Sequence, residues 1–288
     1  MDNKTYTGGH AKFSIRRRIF TYIILIIGAF ISLVPFVWMI STSLMNLGEA
    51  LGTNFFPTEV HFENYVEAWR RADFTEYFVN STLITLITLS GQLTFSILAA
   101  YAFARMKFPG RDLIFSVMLS TIMIPAMVFI IPNFLTVTWL GRIGPIPWIN
   151  NWPALTIPFM GSIYSIFMLR QFFAQVPDEL YDAAQIDGAG HLRFLLQVVL
   201  PLSKAPIMVI LVLSFIGTWN SLAWPMLVTN TPDWRPISVG LMSFVTEAGQ
   251  SINLTMAGAF ITIIPILVIY FFTQKQFTNS IARSGLKG

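Results

Sequence analysis

Long apolar runs alternate with short polar segments along most of the chain. Six of these runs are long enough to cross a bilayer as helices, which requires about 20 mostly apolar residues. They lie at Ile19–Thr42, Phe78–Ala104, Leu113–Leu135, Trp152–Phe172, Pro206–Val228 and Leu254–Thr273. The pattern predicts an all-α membrane protein with six transmembrane helices, in which a spanning domain at 19–273 separates two polar tails at 1–18 and 274–288.

Composition supports a membrane protein and narrows its chemistry. The 288 residues are 55% hydrophobic and 11% charged, whereas about a quarter of the residues in a soluble domain are charged. Arg170 is the one Asp, Glu, Lys or Arg inside the six runs. Ion-coupled transporters and pumps usually carry ionisable residues at membrane depth. This argues against ion coupling without excluding it, because neutral groups can bind Na⁺.

The basic residues predict the orientation of the chain. Of the 18 Lys and Arg, the segments on one side hold all but Arg70, Arg71, Arg142 and Arg235. Because basic residues favour the cytoplasmic side, we expect both termini in the cytoplasm. The net charge of +4 then reflects topology, and no nucleic-acid partner is predicted. Without cysteine, and with histidines far apart in sequence, no metal site is expected.

The polar segment 174–205, between the fourth and fifth runs, carries helix signals. Pro177 suits a first helical position, and the acidic residues after it suit the positive end of a helix. Gly188 suits a helix stop, because glycine tolerates the left-handed conformation found there. A second helix is predicted from about His191 to Val199. The segment therefore predicts a two-helix knob facing the cytoplasm.

Two uses of this knob remain open on residue pattern alone. Small Ala183 and Ala184 would let a partner protein approach closely. Alternatively, the segment forms an amphipathic hairpin on the lipid surface. The apolar side chains available for that second role are Tyr181, Phe194, Leu195 and Leu196.

The spacing in this segment resembles a known motif. Asp182-Ala183-Ala184 is followed after three residues by Gly188, after nine more by Val198, and then by Leu200-Pro201. This resembles the Glu-Ala-Ala…Gly…Ile-x-Leu-Pro coupling loop of ABC importer permeases, with conservative changes at Asp182 and Val198. Further segments resemble carbohydrate-uptake permeases, such as the shorter subunit of maltose-type transporters. These are residues 100–110, Thr218–Asn220 with Trp224-Pro225, 256–259 and 284–288.

The resemblance implies a type I ABC importer permease that is not itself an enzyme. Its partners would be a second permease, two copies of an ATPase, an extracytoplasmic binding protein and a sugar. ATP and magnesium would be bound by the ATPase, since no lysine here follows the Gly-x-x-x-x-Gly spacing of a phosphate loop. The residues implied to couple to the ATPase are Glu179, Asp182, Ala183, Ala184, Asp187, Gly188, Leu200 and Pro201.

Three residues in the fifth run are candidates for the translocation path. Trp219 and Trp224 offer ring faces and Asn220 an amide, which suit a sugar. Alternatively, the tryptophans form an interfacial aromatic belt and Asn220 bonds another helix. Gln92 and Asn133 are interpreted as helix-to-helix contacts.

A proline-bounded turn on the outer side is a second candidate site. By resemblance, Pro232, Asp233 and Trp234 would contact the binding protein, while a plain surface turn is the alternative. By resemblance the 274–288 tail would lie against the ATPase, whereas its polar, basic composition alone predicts a disordered tail.

The predicted function is ATP-driven import of a carbohydrate, specifically a di- or oligosaccharide. The same fold importing glycerol-3-phosphate is an alternative. Two other classes also remain: an ATP-independent secondary transporter, and a membrane scaffold whose knob recruits a partner.

Overall fold

The computed structural model describes residues 15–71, 73–246 and 251–284, and no strand occurs among them. This confirms the predicted all-α architecture. The helices are α1 (Ile15–Ser43), α2 (Leu47–Ala50), α3 (Glu63–Arg71), α4 (Phe74–Arg105), α5 (Arg111–Ser120), α6 (Ile130–Ile143), α7 (Trp152–Thr156), α8 (Ile163–Phe173), α9 (Asp178–Ile186), α10 (His191–Phe194), α11 (Leu200–Leu202), α12 (Lys204–Trp219), α13 (Ala223–Val228), α14 (Ile237–Thr246) and α15 (Ile252–Ser284).

Within the described ranges, five helical stretches are long and apolar enough to cross a membrane. They are Ile19–Ser43, Phe74–Arg105, Ala126–Ile143, Trp152–Phe173 and Ile252–Gln274. A sixth arises if the helical pair His191–Leu202 and Lys204–Trp219, bent by 80°, is one span. The number of spans is thus compatible with the sequence prediction, but three of the predicted runs are not single helices. The fourth, Trp152–Phe172, contains α7 and α8, which are separated by residues 157–162.

The third predicted span, Leu113–Leu135, is wrong as a continuous helix. α5 ends at Ser120, and the next apolar helical stretch begins only at Ala126. Between them Ile124 is extended, with φ −85° and ψ 122°, because a residue before proline avoids the α conformation. Pro125 therefore moves the candidate span to Ala126–Ile143.

The fifth predicted span, Pro206–Val228, is also broken. α12 ends at Trp219, and α13 begins at Ala223 after a short turn. Asn220 caps α12 with φ −89° and ψ 5°. Asn and Ser compete with the helix through local side-chain hydrogen bonds, so the pair Asn220-Ser221 favours a turn inside an apolar run.

The last helix extends beyond its predicted end. α15 continues past Thr273 to Ser284, so most of the predicted 274–288 tail is helical. Residues 1–14 of the predicted N-terminal tail and residues 285–288 lie outside the described ranges.

α4 is the central element of the fold. Three apolar clusters follow its length, and it contributes Phe74 to one, Ile84 to the next and Ala100 to the third. By contrast, α1 contributes no buried residue from its most apolar window. Ile26 and Phe30, for example, are 67% and 69% exposed. α1 therefore offers an apolar surface to lipid or to another chain.

Candidate coupling loop and translocation cavity

The first helix of the 174–205 segment, α9, ends as the sequence predicted. Gly188 has φ +74°, and its N–H donates to the Gln185 carbonyl at 2.9 Å. The N–H of Ala189 donates to the Ala184 carbonyl at 2.8 Å. These two bonds form a Schellman motif, in which the residue after the helix is left-handed. At the other end, Pro177 caps the helix and Asp178 begins it.

The outward face of α9 is free of intramolecular packing. Glu179, Asp182 and Ala183 are all exposed. Ile186, one helical turn further on, is 87% exposed. An isolated exposed isoleucine is ordinary, but this one lies on the same face as the predicted coupling residues. The sequence analysis did not single out Ile186. Its i+7 spacing from Glu179, with Asp182 at i+3, could have placed it on the same helical face.

The opposite face of the two-helix knob packs on the transmembrane helices. Phe194 and Leu195 are only 1% and 2% exposed, and Tyr181 and Ala184 pack against the same cluster. Three of the four side chains considered for a lipid-surface hairpin therefore face the protein. Leu196, at 55% exposed, is the exception.

Two side chains near the C-terminal end of α4 tie the knob to this helix. Arg105 pairs with the Asp178 carboxylate and also donates to the backbone carbonyl of Val176. The Tyr101 hydroxyl is hydrogen-bonded to Nδ1 of His191 at 2.9 Å. The His191 ring also stacks on Tyr181, with ring centroids 5.1 Å apart. Both helices of the knob are thus fixed to one transmembrane helix.

The remaining predicted coupling residues lie elsewhere on the loop. Asp187 caps α9 and is exposed. Leu200 and Pro201 lie in α11, after a π-helical turn at Leu195–Val199. They sit beside buried Ser203, where the chain bends by 80° into α12. Their position is at the base of the knob, away from the outward face of α9.

Arg170 is held at the cytoplasmic end predicted for the fourth span. Its Nε donates to the Phe103 carbonyl at 3.3 Å, and its guanidinium lies 4.1 Å from the centre of the Phe115 ring. Its NH2 group lies 3.8 Å from the Asp112 carboxylate. Hydrogen bonding from Arg111, together with the charges of Arg111 and Arg170, lowers the pKa of Asp112. Arg170 is therefore a packed, paired residue near the start of α5.

The outer turn is attached to the opposite end of α4. The Asn80 amide donates to the carbonyls of Asp233 and Arg235 at 2.9 and 3.2 Å. Pro232 and Asp233 are exposed, and Trp234 is half-buried. The turn that was predicted to contact the binding protein is therefore exposed but held in place by hydrogen bonds to α4.

A cavity of about 340 Å³ lies beside the outer half of α4. Its polar lining consists of hydroxyl and amide side chains: Ser81, Thr85, Gln92, Ser162, Ser214, Thr218 and Ser221. Gln92 lies near the middle of α4 and donates to the Ser165 and Ser214 hydroxyls at 3.1 and 2.8 Å. Its predicted role in joining helices is confirmed, and it lines the cavity as well.

The three predicted path residues do not form one site. Trp224 lines the cavity, with its indole N–H donating to the Ala154 carbonyl at 2.9 Å. Trp219 is instead 2% exposed, stacks on Phe215 and donates to the Thr262 carbonyl. Asn220 is exposed and does not line the cavity. The chain leaves the helix after Trp219, and the three side chains meet three different surroundings.

The sequence also matches a known protein family. Residues 92–280 match the model for the binding-protein-dependent transport system inner membrane component. Because the match covers more than half of the chain, the protein belongs to this family of transport permease components. The cavity, the outer turn and the 174–205 loop are therefore features of a transport permease of the inner membrane.

Two characterised relatives match over nearly all of their length. The diacetylchitobiose uptake permease NgcG of Streptomyces coelicolor is 30% identical over 91% of this chain and 87% of its own. The sn-glycerol-3-phosphate permease UgpE of Yersinia pestis is 33% identical over 92% of this chain and 96% of its own.

A solved structure agrees with the fold. A chain of a bacterial ABC transporter involved in import of the acidic polysaccharide alginate superimposes with a TM-score of 0.78. It is 26% identical and covers 91% of this chain and 98% of that chain. The fold is therefore that of a type I importer permease.

Proposed function

We propose that this chain is one permease subunit of an ATP-driven importer for a carbohydrate, specifically a di- or oligosaccharide. It forms part of the translocation path in the cytoplasmic membrane of a prokaryote. A separate ATPase binds ATP and magnesium and drives the subunit through the 178–200 loop. The relatives that import saccharides support this substrate class, and the glycerol-3-phosphate permease supports the alternative.

The observation that carries the proposal is the two-sided construction of the knob. Its inner face is fixed to α4 through Arg105 and His191. Its outer face presents Glu179, Asp182 and Ile186 to solvent. A lever that transmits work needs both a rigid attachment and a free docking face. A small residue such as Ala183 on that face permits close approach by the ATPase.

A second permease subunit is also part of the proposal. The cavity opens at its edge, where Gly161 and Gly217 are exposed. Hydroxyl and amide groups facing hydrocarbon are energetically costly, so another chain would cover this opening. The apolar surface of α1 would lie against that chain or against lipid.

The remaining expectations follow from this assembly. Both termini lie in the cytoplasm with the knob, as the distribution of Lys and Arg favours. Two ATPase copies serve the two permeases. An extracytoplasmic binding protein delivers the sugar to the outer turn at Pro232–Trp234.

Reconstitution tests the proposal. The complete complex in proteoliposomes should accumulate a saccharide only when the loaded binding protein and ATP are both supplied. An ion gradient without ATP should drive nothing, whereas uptake under the gradient alone would indicate a secondary transporter. Absence of any flux, with the ATPase still bound, would indicate a scaffold. Uptake of sn-glycerol-3-phosphate but no saccharide would select the alternative substrate.

A single substitution tests the coupling role separately. Asp182→Lys reverses a charge on the exposed face of α9 without touching a packed residue. It should uncouple ATP hydrolysis from uptake while membrane insertion stays normal. Lys107→Asp, an exposed charge reversal outside the knob, serves as the matched control.

A further inference from the structure

The cavity beside α4 contains a buried hydroxyl without a partner. Thr85 is 1% exposed and lines the cavity, and its Oγ1 has no hydrogen-bond partner. Several other helical threonines bond back to their own helix, as Thr82 does to the Phe78 carbonyl at 2.8 Å, whereas Thr88 shares the unbonded state of Thr85. A buried hydroxyl left unbonded costs free energy comparable to a lost hydrogen bond. The oxygen itself is closed to solvent, so a ligand in the cavity that Thr85 borders would complete the bond only after the side chain turns toward it.

Two glycines keep the cavity open. A Cβ atom added at Gly161 or at Gly217 would meet no atom within 4 Å, and both residues line the cavity. Both glycines are exposed at the opening of the cavity, so larger side chains at these positions would occupy that opening. Gly217 lies inside α12, where glycine is unfavourable for the helix. Its presence there fits a need for room rather than for helix stability.

The rest of the wall combines aromatic surface with neutral polar groups. Phe159 and Trp224 meet edge to face, with ring centroids 5.7 Å apart. The polar atom of Trp224 is already bonded to Ala154, so the indole contributes mainly apolar surface. Among the residues that the structure describes, no charged side chain lines the cavity. Phosphate and carboxylate ligands are usually bound by Arg or Lys, whereas a neutral saccharide matches hydroxyl, amide and ring surface.

We propose that this subunit itself contributes a contact site for an uncharged saccharide segment, with Thr85 bonding the solute directly. The inference rests on the proposed import function and deepens it. The volume of about 340 Å³ lies at the lower end of ligand sites, roughly 300 to 1,000 Å³, and suits a short saccharide segment. The site favours neutral solutes over sn-glycerol-3-phosphate.

The test compares matched variants in the reconstituted complex with its binding protein. Thr85→Val removes the unpaired hydroxyl at nearly constant volume. Its control is Thr88→Val, because Thr88 is equally buried and unpaired on the same helix but does not line the cavity. Gly217→Leu fills the cavity. Its control is Gly28→Leu in α1, where added atoms also meet open space.

The readout is uptake per ATP hydrolysed, with diacetylchitobiose, an arabino-oligosaccharide and sn-glycerol-3-phosphate as probes. We expect the parent complex to carry a neutral saccharide. Its uptake per ATP hydrolysed should fall about fivefold in Thr85→Val, as for one lost hydrogen bond, and almost to zero in Gly217→Leu. Both controls, and Asn220→Leu outside the cavity, should match the parent. Equal uptake by Thr85→Val and Thr88→Val, or transport of sn-glycerol-3-phosphate alone, would overturn the inference. If the parent complex transports none of the three probes in the presence of ATP, that result contradicts the proposed import function itself.

Discussion

Asn80 and Arg105 lie near opposite ends of one unbroken helix, α4, and each holds a different loop. Asn80 bonds the outer turn at Asp233 and Arg235, while Arg105 holds the start of the knob at Asp178. At about 1.5 Å of rise per residue, the two lie about 38 Å apart along the helix axis. The cavity lies along α4 between these two attachments. A movement of α4 would therefore affect the outer turn, the cavity and the knob together.

Replacing Arg105 tests the inner attachment. The Arg105 side chain is 10% exposed, whereas Asp178 is 87% exposed, so the ion pair itself contributes little. The bond to the Val176 carbonyl from a mostly buried guanidinium matters more, about 1.5 to 3 kcal/mol for a charged donor. Arg105→Met should therefore loosen the knob and lower uptake per ATP hydrolysed. Lys107→Met, two residues on and exposed, should leave that ratio unchanged; equal loss in both variants would contradict this role.

Replacing Gly188 tests the stop of α9. The left-handed conformation at φ +74° disfavours a branched side chain by about 1 to 2 kcal/mol. Gly188→Val should thus distort the coupling loop and reduce co-purification of the ATPase, although added atoms meet open space. Gly188→Asn should be milder, because Asn tolerates this conformation.

The control for this glycine lies two residues away. Gly190 has φ −81° and also faces open space, so Gly190→Val should retain the ATPase. If both valine variants lose the ATPase equally, crowding at the interface rather than backbone conformation is responsible.

Replacing Asn80 tests the outer attachment. Asn80 is 6% exposed and its amide bonds two carbonyls of a partly exposed turn, so each lost bond costs about 0.5 to 1.5 kcal/mol. Asn80→Ala should weaken binding-protein affinity severalfold, measured by titrating ATPase stimulation with the loaded binding protein. Thr82→Ala affects only a bond within its own helix. An Asn80 variant with unchanged affinity would show that the turn has no role in docking.

Replacing Ile186 tests the docking face. Its 87% exposure means that Ile186→Ser costs the isolated subunit little. Burial against the ATPase would be worth up to about 1.5 to 3 kcal/mol, so the ATPase should dissociate roughly tenfold more readily. Val60→Ser, at a half-exposed residue in a segment predicted to lie on the outer side, is the control. Equal ATPase affinity in the two variants would remove Ile186 from the interface.

Much of the architecture could be predicted from the sequence because apolar run length and helix signals are local. Pro177 and Gly188 predicted both ends of α9 to within one residue. The broken spans could not be read from apolarity alone, since Ile124-Pro125 and Asn220-Ser221 interrupt helices inside uniformly apolar runs.

The sites were harder to predict than the helices. Trp219 and Trp224 look alike in sequence, but the turn at Asn220 buries one in the core and puts the other at the cavity. Thr85 had no sequence signal of its own, because its significance depends on bonds it fails to make in three dimensions. Arg105 was counted as a topology signal, and its contact with Asp178 spans a long stretch of chain.

The account depends on α9 being covered by an ATPase in the working assembly. The chain contains no cysteine, so Asp182→Cys provides a single thiol on the exposed face. Leu51→Cys provides a control at a 60% exposed residue in a segment predicted to lie on the outer side. The direct measurement is the maleimide labelling rate of each thiol in nanodiscs, with and without the ATPase. We predict at least tenfold slower labelling at 182 in the transport-active complex and no change at 51. Equal labelling of residue 182 with and without the ATPase, in a complex that still transports, would contradict the account.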